Sequence, residues 1–143
     1  MIQVLIPSDF EFLKYDAQIK DLYEKNQKKI NDSNSYEFIK NNTLFYLFLK
    51  NKNVLGVAYY FKDGDKLFVN GFSNRKNHLA NLYSLKLSTT WFSCSIYAEA
   101  QNRASALCLL RCGFKRLKGN LFILQKTHLE DLHQFSSVKF HQL

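Results

Sequence analysis

Proline occurs once in the 143 residues and glycine five times, so few positions are built for kinks or left-handed backbone. A collagen-like chain and a Pro/Gly-rich disordered chain are both excluded by that scarcity. Cysteine is sparse too, at Cys94, Cys108 and Cys112. An odd handful of this kind does not staple a small secreted domain, and it implies reduced thiols in a cytoplasmic setting. Cys108 and Cys112 share one face of a helix, but no further ligands stand at a recognised metal spacing. They read as small apolar packing residues, and no metal is expected. No apolar run approaches the roughly 20 residues of a membrane span. Met1 to Ser8 reads as a short strand, without the basic head and apolar core of a signal peptide. Acidic residues are outnumbered, 12 against 20 Lys and Arg, for a formal charge of +8. That field favours anionic partners: nucleic acid, a phosphate-bearing cofactor or an acidic surface. A lysine-rich surface serving only solubility is the competing account.

Apolar material is plentiful, with 46% hydrophobic residues, 13 Phe and 8 Tyr. A chain of this length fits one domain over residues 1–143 and buries roughly two-thirds of its unfolded surface. Ile2, Val4 and Ile6 alternate along a first strand that Pro7 ends. Ser8 or Asp9 is placed to cap a helix running from Phe10 towards Ile30. Asn31 to Ser35 is polar turn material, and Tyr36 to Asn41 predicts a second short helix. Leu44 to Leu49, Val54 to Phe61 and Leu67 to Phe72 are three apolar runs joined by polar turns, the second turn carrying an Asp63-Gly64 hairpin signal. They predict an antiparallel meander covered on at least one face. A helix follows around Leu79 to Leu87, then a strand from Phe92 to Ala98. Next come a helix from Asn102 to Cys112 ended by Gly113, and a hairpin of Phe114–Leu117 with Leu121–Lys126. Thr127-His128-Leu129-Glu130 has the pattern of a capping box for a short terminal helix. The order makes an α+β domain whose central β-α-β step sets two neighbouring strands parallel.

One segment carries more than a fold class. Asn102, Ser105, Gly113 and Phe114 stand at offsets of zero, three, eleven and twelve, after a strand and before a hairpin. This resembles the closing motif of the GCN5-related N-acyltransferases. The resemblance extends to the element order over nearly the whole chain. It implies a mixed, mostly antiparallel central sheet with helices on both faces, and acyl-CoA, most simply acetyl-CoA, lying in a V-shaped gap between the fourth and fifth strands. It also implies transfer to a primary amine by direct attack in a ternary complex. The pantetheine arm would run along Phe72 and Ser73, with Asn102 and Ser105 lining it. The family's pyrophosphate loop, Arg or Gln, two residues, Gly, one residue, Gly or Ala, matches Arg75, Lys76, Asn77, His78, Leu79 and Ala80. Arg75 and Ala80 fit, while His78 replaces a glycine. Backbone amides at a helix start bind phosphate there, and His78 departs from that cradle. A plain basic loop is the other reading of this segment.

The reaction needs a base for the amine and an acid for the leaving thiolate. The family's usual acid, a Tyr seven residues after the motif Asn, is Leu109 in this chain. Glu99, just before Asn102, is the candidate base, against an exposed glutamate paired with Arg103 or a lysine. Tyr97 and Tyr83 are candidate phenol acids, or half-buried packing residues, and His78 is a second base by its chemistry. Two rival functions stay open. The group Arg111, Lys115, Arg116 and Lys118, with Tyr59, Tyr60 and Trp91 as stacking surfaces, is suited to binding or modifying nucleic acid. The departures at His78 and Leu109 are suited to an interaction module that has lost CoA.

Overall fold

A computed structural model describes residues 1–74 and 78–126, with the backbone alone for His78, Ala80 and Asn81. Gln3–Leu5 forms strand β1 at one edge of the sheet. The long helix expected from Phe10 to Ile30 is broken in two, a 3-10 segment over Phe10–Lys14 and helix α1 over Asp16–Ile30. Neither Ser8 nor Asp9 caps α1. The Asp9 carboxylate instead accepts the Ile6 backbone N–H at 2.8 Å, closing the turn after Pro7. The tight 3-10 turn drives Phe12 into the core while Phe10 stays 84% exposed. Asn31, at φ 51°, ends α1 in left-handed geometry, which asparagine tolerates better than most residues. Helix α2, Tyr36–Asn42, is capped by Ser35, whose hydroxyl accepts the Phe38 N–H.

The meander forms as read: β2 at Leu44–Lys50, β3 at Asn53–Asp63 and β4 at Lys66–Ser73. β3 is buried without interruption from Val54 to Tyr60 because both faces of the sheet are covered. On one face Tyr59 packs with Tyr23 and Ile19 of α1, Tyr36 and Ile39 of α2, and Phe45 and Phe72. On the other, Tyr60 packs with Phe48, Phe92, Ile96 and Phe122. Each such side chain taken from water contributes about 1.5–3 kcal/mol. Gly71 sits where β3 and β4 crowd, and a Cβ there would lie 2.6 Å from the Val57 carbonyl oxygen.

Helix α3, His78–Thr89, leads into β5, Ile96–Glu99. The expected start of this strand at Phe92 is four residues early. Phe92 turns inward onto the Tyr60 ring, centroids 4.4 Å apart, and its carbonyl accepts from the Lys126 ammonium at 2.8 Å. Helix α4, Arg103–Arg111, ends at Gly113 with φ 95°, the left-handed terminator its sequence indicated. The hairpin of β6, Lys115–Lys118, and β7, Leu121–Leu124, completes a sheet of order β1-β2-β3-β4-β5-β7-β6. Every neighbouring pair is antiparallel except β4 with β5. The terminal helix expected from Thr127 lies outside the described residues. Among the described residues no helix is long and apolar enough to cross a membrane.

Candidate functional site

The parallel seam is where the sheet opens. β4 pairs with β3 along its whole length, from Lys66 to Ser73. It meets β5 only through Leu67 with Ile96 and Phe68 with Tyr97. Beyond that point β5 keeps its ladder with β7, and Ala100 N–H continues it onto the Asn120 carbonyl. The β5-facing edge of Val69 to Ser73 is therefore left without a strand partner. Such an edge presents main-chain donors and acceptors in a row, ready for an extended ligand.

A cavity of about 230 Å³ occupies the gap. Its walls are mostly small: Gly71 and Ser73 from β4, Ala98 from β5, and Ala104, Ser105 and Cys108 from α4. Small side chains at these positions keep two diverging elements apart without filling the space between them. Phe48, Leu85 and Leu109 supply its apolar floor.

Asn102 and Ser105, expected to line a ligand, first of all start α4. Asn102 Oδ1 accepts the Ser105 N–H at 2.9 Å, and Ser105 Oγ accepts the Asn102 and Gln101 N–H groups at 3.1 and 2.9 Å. This reciprocal box satisfies amides that a helix start otherwise leaves orphaned. Ser105 also faces the cavity. On β4, Ser73 lines the cavity, whereas the Phe72 side chain points the other way, onto Tyr23 and Tyr59. Phe72 is thus present in the gap by its backbone alone. Arg75, Lys76 and Asn77 lie outside the described residues. His78 is the first residue of α3, so the replaced glycine position coincides with a helix start. Leu79 is 71% exposed.

Glu99 is brought to the cavity wall. It is exposed rather than partly buried, and among the described residues its carboxylate makes neither an ion pair nor a hydrogen bond, so the pairing with Arg103 does not form. Tyr97 is not brought there. Its side chain lines a separate hollow with Lys62, Lys66 and Cys94, and Lys66 stands 5.2 Å over its ring. The reason is position along the seam: Tyr97 lies in the paired stretch opposite Phe68, whereas Glu99 lies past the point where the two strands part. Tyr83 is 60% exposed on α3. Leu109 is buried on the cavity floor, where no proton can be donated. Cys108, read as a packing residue, is a thiol in the cavity wall. The Cys112 thiol donates to the Leu82 carbonyl at 3.7 Å, and the interaction of its sulfur with Cys108 outweighs burial and holds the Cys108 thiol below its ordinary pKa. The same pairing pushes Cys112 up.

A second cavity, also about 230 Å³, opens on the other side of the seam. It shares Val69, Asn70 and Glu99 with the first. Its other walls are Phe61 and Phe68, Ile30 and Gln101, and the loop from Asn31 to Asn34, which the sequence offered only as turn material. The loop is pinned from beneath by buried phenols. Tyr59 donates to Asp32 Oδ2 at 2.7 Å, Tyr23 donates to the Asn34 carbonyl at 2.8 Å, and Asn70 Nδ2 donates to the Ile30 carbonyl at 3.1 Å. Burial first, and then the Asp32 bond, drive the Tyr59 pKa well above the usual phenol range. Its proton therefore stays in place at neutral pH. Asp32, Asn34 and Tyr59 were the residues that sequence reading missed as site builders. The spacing of Tyr23, Asp32 and Tyr59 holds no local signal, since the three meet only through the fold.

The aromatic half of the nucleic-acid reading is overturned. Tyr59 and Tyr60 are 0% and 1% exposed, and Trp91 packs on Tyr46 and Phe48. None offers a free stacking face. Arg111, Lys115, Arg116 and Lys118 are all exposed, with Arg116 over the Phe122 ring. Among the described residues no group of three His, Cys, Asp or Glu is placed to hold a metal.

No protein-family profile matches the chain, and no curated protein matches it. Solved structures do. The N-acetyltransferase of Staphylococcus aureus Mu50 superposes with a TM-score of 0.68 at 12% identity, covering 90% of this chain and 99% of its own. Aminoglycoside acetyltransferase AAC(6')-Ib, in complex with coenzyme A, superposes at 0.59 and 9% identity, over 95% of this chain and 99% of its own. A probable acetyltransferase of Staphylococcus epidermidis ATCC 12228 gives 0.57 at 12% identity, over 89% and 99%. At these identities the likeness is one of fold. The chain has the GCN5-related N-acyltransferase fold that the Asn102 to Phe114 segment resembled.

Proposed function

We propose that the protein is a cytoplasmic, acyl-CoA-dependent N-acyltransferase that moves an acyl group, most simply acetyl from acetyl-CoA, to a primary amine. The observation that carries this reading is the junction of two cavities where Val69 and Asn70, on the unpaired edge of β4, face Glu99 at the end of β5. One cavity is narrow and mostly apolar, suited to a pantetheine arm. The other is polar and acidic, suited to an amine. Coenzyme A bound by AAC(6')-Ib, a protein of the same fold, agrees with this assignment.

In this scheme the β4 backbone at Phe72 and Ser73 hydrogen-bonds the pantetheine amides, with Ser105 and the free Asn102 amide group opposite. The helix start at His78, with Arg75, Lys76, Asn77, Leu79 and Ala80 around it, takes the pyrophosphate through its amides and its positive dipole end. The thioester supplies an activated carbonyl carbon. Glu99, directly or through water, first takes a proton from the bound ammonium and frees its lone pair. The neutral amine then forms its C–N bond as the C–S bond breaks, and the second nitrogen proton passes through water to the departing thiolate. Once both ligands cover it, Glu99 loses its exposure to bulk solvent, which strengthens its interaction with the ammonium. The thiolate leaves from a positioned complex, so Leu109 in place of an acid slows the step without forbidding it.

Leu109 also favours a second reading, a protein that binds acyl-CoA and does not turn it over. Two measurements separate them. In the first, thermal unfolding with acetyl-CoA at about a hundred times its Kd is expected to show about 2.7 kcal/mol of stabilisation. In the second, thiol release from acetyl-CoA is expected to depend on added amine. A shift without amine-dependent thiol release leaves a binder, and no shift at all removes both readings.

A further inference from the structure

We infer that the acceptor is a primary amine bearing a single positive charge on an aromatic body. Its ammonium sits in the polar cavity beside Glu99, and its ring lies along a strip formed by Phe61, Phe68 and Tyr97. This deepens the acyltransferase reading above and rests on it for the reaction, although not for the binding.

The cavity selects charge. The chain carries +8 overall, yet among the described residues this cavity is lined by two carboxylates, Asp32 and Glu99, and by no Lys, Arg or His. Asp32 is held in place by hydrogen bonds from the Tyr59 hydroxyl and from the Asn34 N–H and amide groups. Glu99 has no partner among the described residues. A fixed carboxylate and a free one, walled by Asn and Ser side chains, suit one ammonium and repel phosphate.

The strip selects shape. Phe61 and Phe68 line the same cavity, and their rings stack at 5.8 Å and 14°. Phe68 continues to Tyr97 at 5.7 Å. Phe61 is 36% exposed, while Phe68 and Tyr97 are half-buried. The register aligns Phe61 with Phe68 and Phe68 with Tyr97, so the strip crosses three strands beyond the part of this face covered by α1. Three neighbouring rings, one exposed and two half-buried, offer a surface that a saturated polar chain does not need and a flat ring does. At the far end stand Lys62 and Lys66 against one carboxylate, Asp65. A second ammonium on the same ligand would be carried towards two lysines, which disfavours polyamines and aminoglycosides.

The test uses the full chain with 2-phenylethylamine, ethylamine and spermidine. Binding is measured by calorimetry, and turnover separately by thiol release from acetyl-CoA. The expected result is tighter binding and at least about tenfold higher kcat/KM for 2-phenylethylamine, a factor that corresponds to about 1.4 kcal/mol. Phe61→Ala should raise its KM several-fold and leave that of ethylamine unchanged. Lys66→Glu, a surface change, should improve spermidine. Equal use of all three amines, a preference for spermidine in the unaltered chain, or indifference to both substitutions would overturn the inference. So would competition for the site by a single-stranded oligonucleotide at low salt. Failure of the two readings is distinguishable. Phenylethylamine that binds and weakens in Phe61→Ala, with no thiol release, upholds the acceptor site and removes the transferase. Thiol release with spermidine alone does the reverse.

Discussion

β4 has two neighbours and treats them differently. Towards β3 it is laddered from end to end, backed by the ring cluster of Tyr23, Tyr36, Phe45, Tyr59 and Phe72. Towards β5 it is laced only at Leu67 and Phe68 and is then free. The first boundary supplies stability, because a continuous ladder between two covered faces satisfies its polar groups and buries large apolar area at once. The second leaves hydrogen-bonding capacity unspent and room beside it. A ligand that completes the sheet gains what the missing strand would have supplied. The strand therefore acts as a scaffold on one edge and as a binding surface on the other.

Substitutions along the two edges should separate accordingly. Glu99→Gln, at the mouth of the open seam, is expected to lower kcat by about 10²–10⁴-fold, the range for loss of a general base. The Kd for acetyl-CoA should stay constant. A parallel loss of CoA affinity would mean that Glu99 holds the cofactor site instead. Ala104→Trp fills the seam cavity from α4 and should abolish the acetyl-CoA thermal shift of about 2.7 kcal/mol. The unliganded melting temperature should barely move, since Ala104 is exposed on α4. Survival of the shift would place the ligand elsewhere. Gly71→Ala attacks the laddered edge. Its new Cβ meets the Val57 carbonyl oxygen, and urea unfolding should show a loss of about 1–3 kcal/mol.

Smaller effects test the α4 start. Asn102→Ala should cost about 1 kcal/mol through the lost cap, while Asn102→Asp keeps the cap and the stability. If the aspartate nevertheless weakens acetyl-CoA binding, Asn102 serves both the helix and the ligand. The last test is chemical. The Cys112 thiol lowers the Cys108 pKa, and burial raises that of Cys94. At mildly alkaline pH Cys108 therefore has the larger thiolate fraction. Iodoacetamide labelling followed by mass spectrometry should find Cys108 modified several-fold faster than Cys94. Acetyl-CoA should protect Cys108 alone.

Much of this fold is written locally. Asp63-Gly64 turns β3 into β4, Gly113 stops α4, and alternation along the three apolar runs predicts the meander. Where local signals misled, a distant partner intervened. Asp9 has the residue type of a helix cap, but its carboxylate goes back to Ile6. Phe92 begins a strand-like run, but the Tyr60 ring and the Lys126 ammonium pull it out of the sheet. Tyr59 and Tyr60 were legible as aromatics and not as buried ones, because burial depends on helices far away in the chain.

What the amino-acid order determined by itself is the set of elements, the parallel step at β5, and the Asn102-to-Phe114 unit that closes the fold. The elements and the closing unit rest on interactions between residues a few positions apart, and the parallel step follows from the β-α-β order. Only the tertiary structure decided that β4 and β5 part after Phe68, and that Tyr97 turns away from the gap while Glu99 reaches its rim. It alone brought Tyr59 beneath Asp32 to build the acidic wall. Those facts depend on contacts across tens of residues, whose geometry no spacing along the chain encodes.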